Sequence, residues 1–342
     1  MAVYTTIDDP AEYFETVLYT GNGASSPGGS GSVQTVSSLD FAPNLVWIKD
    51  RTQTHNHNLM DTVRGAPNIL MSDATNAEIT DSSDALTSFT SNGFVIGDNG
   101  EGTQSLELNK LNNTYVAWCW KESATAGFDI VAYTGNGTDD TDISHSLSAV
   151  PHLIIVKNKD ATDPWRMQHK ALGETYGMIL NDTTVKDDDD TAWSDEAPTS
   201  SVFTLGTSVN TNRNTSNFIA YLWTEKQGFS KFGSYTGNGN ADGAFIYTGF
   251  RVGWVMIKRT DATNGWEIYD SKRAGYNNNN INLRADTTAA DDATAERVDL
   301  HSNGFKIRAS STGVNTSGAE YIYMAFAEAP FVNSKGVPCN AR

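Results

Sequence analysis

The pentapeptide Tyr-Thr-Gly-Asn-Gly stands at residues 19–23, again at 133–137 and again at 235–239. Each copy is followed by an apolar run ending in lysine (Lys49, Lys157, Lys258) and, eight residues on, by a ring (His57, Trp165, Trp266). A short segment then opens at Phe94, Phe203 or Phe305, at Lys-to-Phe separations of 45, 46 and 47 residues. An aromatic run closes each copy, opening at Tyr115, Phe218 or Tyr321 at intervals of 103 and ending in Glu122, Glu225 or Glu328. Landmarks kept in order three times make this chain a tandem triplicate, which must bury three similar units in three similar ways.

The periodicity inside each unit is that of strands. Residues 115–121 alternate Tyr115, Ala117 and Cys119 on one face with Val116, Trp118 and Trp120 on the other. Both faces are apolar, the pattern of a central strand covered on two sides. Residues 218–223 and 321–326 repeat it. Pro43 and Pro151 precede the first two lysine runs, as suits a strand entered from a turn. Gly-Asn-Gly provides the backbone freedom of tight turns. A helical turn over residues 59–64 is the one helical expectation. Units of about 100 residues built this way predict an all-β chain of three tandem antiparallel β-sandwich domains, each large enough for a core of its own. The boundaries fall at 1–124, 125–227 and 228–342, with linkers so short that the units should touch as one rigid body.

Composition limits the partners. The chain has 24 Lys and Arg against 41 Asp and Glu, a formal charge of −17. That excludes a general nucleic-acid binder and docking on anionic membranes. No apolar run approaches the roughly 20 residues of a membrane span, so no membrane insertion is expected. Cys119 and Cys339 cannot make a disulfide framework, consistent with synthesis in a reducing cytoplasm.

Few residues propose chemistry. Residues 185–196 crowd six carboxylates around Trp193. Asp187, Asp188, Asp189, Asp190 and Trp193 are therefore the candidate ligand-binding residues, with Trp193 expected on an exposed loop. A structural Ca²⁺ is conceivable for such oxygens, but the EF-hand spacing is missing and a solvated acidic loop is the default. No cofactor, metal or catalytic residue is assigned. His55-Asn56-His57 is contiguous, unlike a nuclease site, and His57 shares its slot with two tryptophans, so a packing ring is expected. The repeated glutamates and lysines, and the slot held by Asp61, His169 and Asp270, read as architecture, because active sites are singular and scaffolds repeat. The chain is not expected to be an enzyme.

These same segments resemble a repeat domain of virion structural proteins of marine tailed phages, especially those infecting cyanobacteria. The resemblance is carried by the pentapeptide, by residues 45–51 after Pro43, and by His57 with Asp61, Arg64 and Gly65. It extends to residues 88–97 and 115–121, to the opening 5–16 and to the closing 329–342. The middle unit departs, with His169 in the aspartate slot and no Arg-Gly step; the third lacks the proline. The resemblance implies a concanavalin- or lectin-like jelly roll, a place on the virion after synthesis in the host cytoplasm, other virion proteins as partners, and contact with host-surface glycans. It leaves tail fibre, tail adaptor and capsid decoration open. By analogy the chain is a homo-oligomer, a trimer, unless its three units let one chain imitate one. The alternatives are a polysaccharide depolymerase and a free carbohydrate-binding protein on the same scaffold.

Overall fold

The alternation read from the three aromatic runs is realised as three central strands, Thr114–Trp120, Asn217–Trp223 and Glu320–Pro330. A computed structural model of the chain describes residues 4–339, apart from 27, 82, 101–106, 276, 278, 280, 295 and 296. Each central strand lies between the strand that opens its unit and the strand that ends near the repeated lysine. In unit 1 these are Phe14–Thr20 and Leu45–Asp50, in unit 2 Phe128–Thr134 and Leu153–Asn158, and in unit 3 Ser230–Thr236 and Phe250–Arg259. Further short strands extend each sheet beyond the lysine strand, and every pairing named here is antiparallel.

A second, smaller sheet covers the outer face of each large one. It consists of Gln34–Val36, Gly93–Ile96 and Leu86–Thr90 in unit 1, and of Phe245–Tyr247, Gly304–Ile307 and Val298–His301 in unit 3. Unit 2 has only Thr141–Ser144 and Val202–Leu205. Between the two layers of each unit lies a core of its own, built on one face of the central strand: Tyr115, Ala117 and Cys119; Phe218, Ala220 and Leu222; Tyr321, Tyr323 and Ala325. The protein is all-β and β-sandwich-like.

The other face of each central strand goes elsewhere. Val116, Trp118 and Trp120, Ile219, Tyr221 and Trp223, and Ile322, Met324 and Phe326 belong to one core shared by all three units. Trp120 packs against Trp223 at 6.2 Å and against Phe326 at 5.7 Å between ring centroids, so three equivalent positions of the triplicate meet. The expectation that each unit holds a core of its own therefore covers only its outer half. The inner half of every unit is completed by the other two.

Residues 59–64 are not helical. Asn58–Asp61 is a strand, with Leu59 in the shared core and Met60 in the outer core of unit 1. Burial on both sides selects the two-residue period over the helical one.

Candidate functional site

The Tyr-Thr-Gly-Asn-Gly turns share one plan in the three units, although the last glycine takes a positive φ only at Gly137 and Gly239. Tyr19 stacks on Tyr115, Tyr133 on Phe218 and Tyr235 on Tyr321, with centroids 4.9, 5.1 and 4.9 Å apart. The first glycine lies so close to a facing backbone that a Cβ would fall 2.1 Å from Lys110 O at Gly21, 2.4 Å from Arg213 O at Gly135 and 2.3 Å from Thr316 O at Gly237. The backbone N–H of the turn asparagine donates to the side chain of a buried asparagine: Asn22 to Asn109 (2.9 Å), Asn136 to Asn212 (2.9 Å) and Asn238 to Asn315 (2.8 Å). Each buried amide donates in turn to a carbonyl six or more residues upstream, Gly97, Gly206 and Ala309. The sequence reading missed this asparagine, although 109, 212 and 315 keep the same 103-residue interval as the central strands.

The repeated lysines are fully buried and point their ammonium groups at backbone carbonyls. Lys49 Nζ donates to Asp50 O (2.7 Å), Lys157 Nζ to Asn158 O (2.6 Å) and Lys258 Nζ to Asn264 O (2.7 Å). Burial lowers each to about 8 from the usual 10.5, because desolvation penalises the charged form. Lys49 and Lys157 pin their own loops, and Lys258 also donates to Thr183 O and Thr184 O of unit 2.

The slot held by Asp61, His169 and Asp270 joins the units. Tyr221 of unit 2 donates to Asp61 of unit 1 at 2.7 Å. His169 Nε2 of unit 2 lies 3.2 Å from Tyr323 O of unit 3, and Trp118 Nε1 of unit 1 donates to Asp270 of unit 3 at 3.2 Å. The rings that follow the lysines tie the same seams from the other side: Trp165 Nε1 donates to Met71 O (2.8 Å) and Trp266 Nε1 to Ile179 O (3.0 Å). His57, in the same slot, packs between Trp47 and Trp118, and Ser72 Oγ supplies the seam bond to Ala285 O at 2.8 Å. Three backbone bonds at matching positions complete the set, Glu78 N to Lys159 O, Lys186 N to Thr260 O and Asp291 N to Arg51 O. Unit 1 holds unit 2, unit 2 holds unit 3, and unit 3 holds unit 1.

The slot also shows where the units differ. Asp61 and Asp270 each bind a buried arginine three residues on, Arg64 and Arg273. In unit 2 that pair is His169 and Leu172, and burial lowers the imidazole to about 3. A neutral ring replaces an ion pair.

The acidic run does not surround an exposed tryptophan. Trp193 is 1% exposed and fills the outer core of unit 2, which corrects its expected exposure. Gly177 leaves room for it, since a Cβ there would fall 2.8 Å from Trp193 Nε1. Asp187 lies 3.1 Å from the buried Arg166, and Asp189 also pairs with it while capping the helix Asp190–Trp193. Asp188 pairs through its backbone with Tyr176, and Asp188 and Asp190 face solvent. Among the described residues, no group of three or more His, Cys, Asp or Glu is disposed to hold a metal ion.

The repeated glutamates sit at the unit junctions with different partners. Glu225 pairs with Lys170 (2.6 Å) and Glu328 lies 3.7 Å from Arg251. Glu122 instead shares the Ile130 N–H with Asp129, whose other oxygen accepts from Ser146 N (2.5 Å). Burial and the neighbouring Asp129 push Glu122 up to about 7. A carboxyl pair of this kind suits acid–base chemistry; here both groups accept from backbone N–H groups of unit 2, at Ile130 and Ser146.

The architecture is thus that of an all-β, sandwich-like protein whose repeated polar residues face inward, onto loops and seams. The chain belongs to a domain family of unknown function, DUF7483, whose model matches residues 9–330. No curated protein and no solved structure matches it.

Proposed function

We propose that this chain is a non-catalytic structural protein displayed on a phage particle, with an adhesive role toward host-surface glycans. The observation that supports it best is the closed cycle of seams: the slot of Asp61, His169 and Asp270, the tryptophans after the lysines and three matching backbone bonds lock three units into one body. Such a body suits rigid display. The resemblance of the repeats to virion proteins supplies the location, and the charge of −17 suits a surface that must avoid nucleic acid and anionic lipid. Each unit, with its large inner and small outer sheet, fits a concanavalin-like jelly roll. The cycle also supplies within one chain the contacts that a homotrimer would make between chains, so we favour the monomer that imitates a trimer; light scattering on the purified protein checks this. Mass spectrometry of purified particles tests the location. The chain should co-purify at fixed copy number, and its recovery only as free protein would overturn the reading.

A further inference from the structure

Scaffold residues repeat in all three units, so a site should show as a place where one unit breaks the pattern. The outward face of the small sheet does so in unit 3. Register with the repeated phenylalanine aligns the first strands of the three small sheets: Val36 faces Phe94, Ile143 faces Phe203 and Ile246 faces Phe305. The flanking outward positions are Thr35 and Ser37 in unit 1, Asp142 and Ser144 in unit 2, and Phe245 and Tyr247 in unit 3. The chain carries 14 Phe, 8 Trp and 13 Tyr, yet among the described residues only these two rings are exposed, by 46% and 51%. Two neighbouring rings left in water on a strand whose equivalents are polar are not needed by the fold.

The rings are held in place. A Cβ on Gly304 would fall 3.0 Å from Phe245 Cζ, so the Phe245 ring leans over the glycine, and it meets His301 edge-on at 5.8 Å. Tyr247 OH lies 3.4 Å from Tyr4 OH. Lys306, paired with Asp242 at 2.5 Å, stands opposite Phe245, and Asp299 stands opposite Lys306, which places a cation and a carboxylate in the same row of the sheet. Asp299 Oδ1 and His301 Nε2 are buried atoms without a hydrogen-bond partner, while the other Asp299 oxygen lies 3.3 Å from Arg308 Nε.

We propose that Phe245 and Tyr247, with Asp299, His301 and Lys306, form a binding platform for a neutral sugar ring. A pyranose has an apolar face of C–H bonds and a rim of hydroxyls. The platform offers two half-exposed rings for the first and polar groups for the second, Lys306 on the next strand and Asp299 and His301 on the one beyond, at successive strand spacings of about 4.8 Å. The abundance of carboxylates, both here and over the chain, disfavours uronic and sialic acids. A protein partner would be expected to need an apolar surround to its aromatic anchors; here charged groups adjoin the rings. The inference rests on the adhesive part of the proposed function and names its site.

The test is binding of the full chain to an array of neutral gluco-, galacto-, manno- and N-acetylhexosamine oligomers. Two variants accompany it: the double variant Phe245→Ala/Tyr247→Ala, and Thr35→Ala/Ser37→Ala as the matching change in unit 1. Because both rings are about half exposed, the double variant should keep its circular dichroism and melting temperature. The platform predicts that the wild type binds at least one oligomer class, that the double variant binds it about tenfold or more weakly, and that the unit 1 variant binds normally. Equal binding by wild type and double variant would overturn the platform and leave the adhesive reading standing. No binding by the wild type would overturn both, while particle mass spectrometry would still decide the virion location. Ring-dependent capture of a protein from a bacterial envelope extract, persisting after periodate oxidation of its sugars, would assign the rings to a protein partner and overturn the proposal.

Discussion

The Tyr221 hydroxyl reaches across 160 positions of the chain to the carboxylate of Asp61, 2.7 Å away, in a seam where both side chains are buried. Arg64 binds the same carboxylate and also donates to the Tyr221 oxygen at 3.2 Å, so aspartate, arginine and tyrosine form one network. Removing the hydroxyl with Tyr221→Phe leaves Asp61 its arginine and should cost about 1 to 2 kcal/mol. Asp61→Ala leaves the buried Arg64 guanidinium with Glu78 as its one remaining carboxylate and should cost about 3 to 5 kcal/mol. Urea denaturation at neutral pH measures both. Equal losses would mean that the tyrosine, not the ion pair, organises the seam.

The shared core predicts cooperativity. Trp165, Tyr221 and Trp223 of unit 2 lie against residues of the other units, so a fragment of residues 125–227 would expose that whole face to water. Burying one such ring stabilises by about 1.5 to 3 kcal/mol, a large share of ordinary domain stability. The full chain should therefore melt in a single calorimetric transition whose van't Hoff and calorimetric enthalpies agree. The fragment should be unfolded or aggregated. Three separable transitions, or a fragment with a sharp melt, would show that the outer cores suffice.

Asn212 makes a third case, local to one unit. Its Oδ1 accepts from Asn136 N, and its Nδ2 donates to Gly206 O and Thr138 O, each at 2.8 Å. Asn212→Ala leaves buried backbone groups unpaired and should cost about 2 to 4 kcal/mol. Asn212→Asp has the same shape but sets a carboxylate oxygen against two carbonyls, and should be no milder. The equivalent changes at Asn109 and Asn315 should rank alike, because each accepts from its turn's N–H and donates to two carbonyls.

How far the sequence reaches is visible at particular residues. Val116, Trp118 and Trp120 already announce a face to be covered, since alternation is local and needs no tertiary knowledge. That this face meets Trp223 and Phe326 could not be read, because an inner core row and an outer core row have the same composition. Trp193 misled for a related reason. Its neighbours are aspartates, and only the structure reveals that Arg166 draws Asp187 and Asp189 together while Gly177 makes room for the ring. Asn109, Asn212 and Asn315 were legible in spacing and were overlooked because asparagine in a turn-rich chain looks like more turn. Phe245 and Tyr247 flank Ile246 in an apolar run that reads as core, and register with Phe305 is needed to show them facing out.

The three buried lysines give the chain an alkaline signature. Each has a folded-state value near 8 against 10.5 when unfolded, so between those limits the unfolded chain holds more protons. Stability should therefore rise as pH climbs through about 8 to 9.5, by at most about 1.4 kcal/mol per pH unit for each lysine. Two groups oppose this. Burial pushes the Cys119 thiol and several tyrosines, including Tyr19 and Tyr221, above their ordinary values, so the folded state retains protons that the unfolded chain loses. The thiol acts near pH 9 and the tyrosines from about pH 10, which confines the lysine effect to a window below them. Urea midpoints across that window should increase with pH, and Lys157→Met should remove about a third of the slope. A flat or falling profile would mean that the ammonium groups are solvated through loop motion, and that their carbonyl sockets are looser than the distances of 2.6 to 2.7 Å indicate.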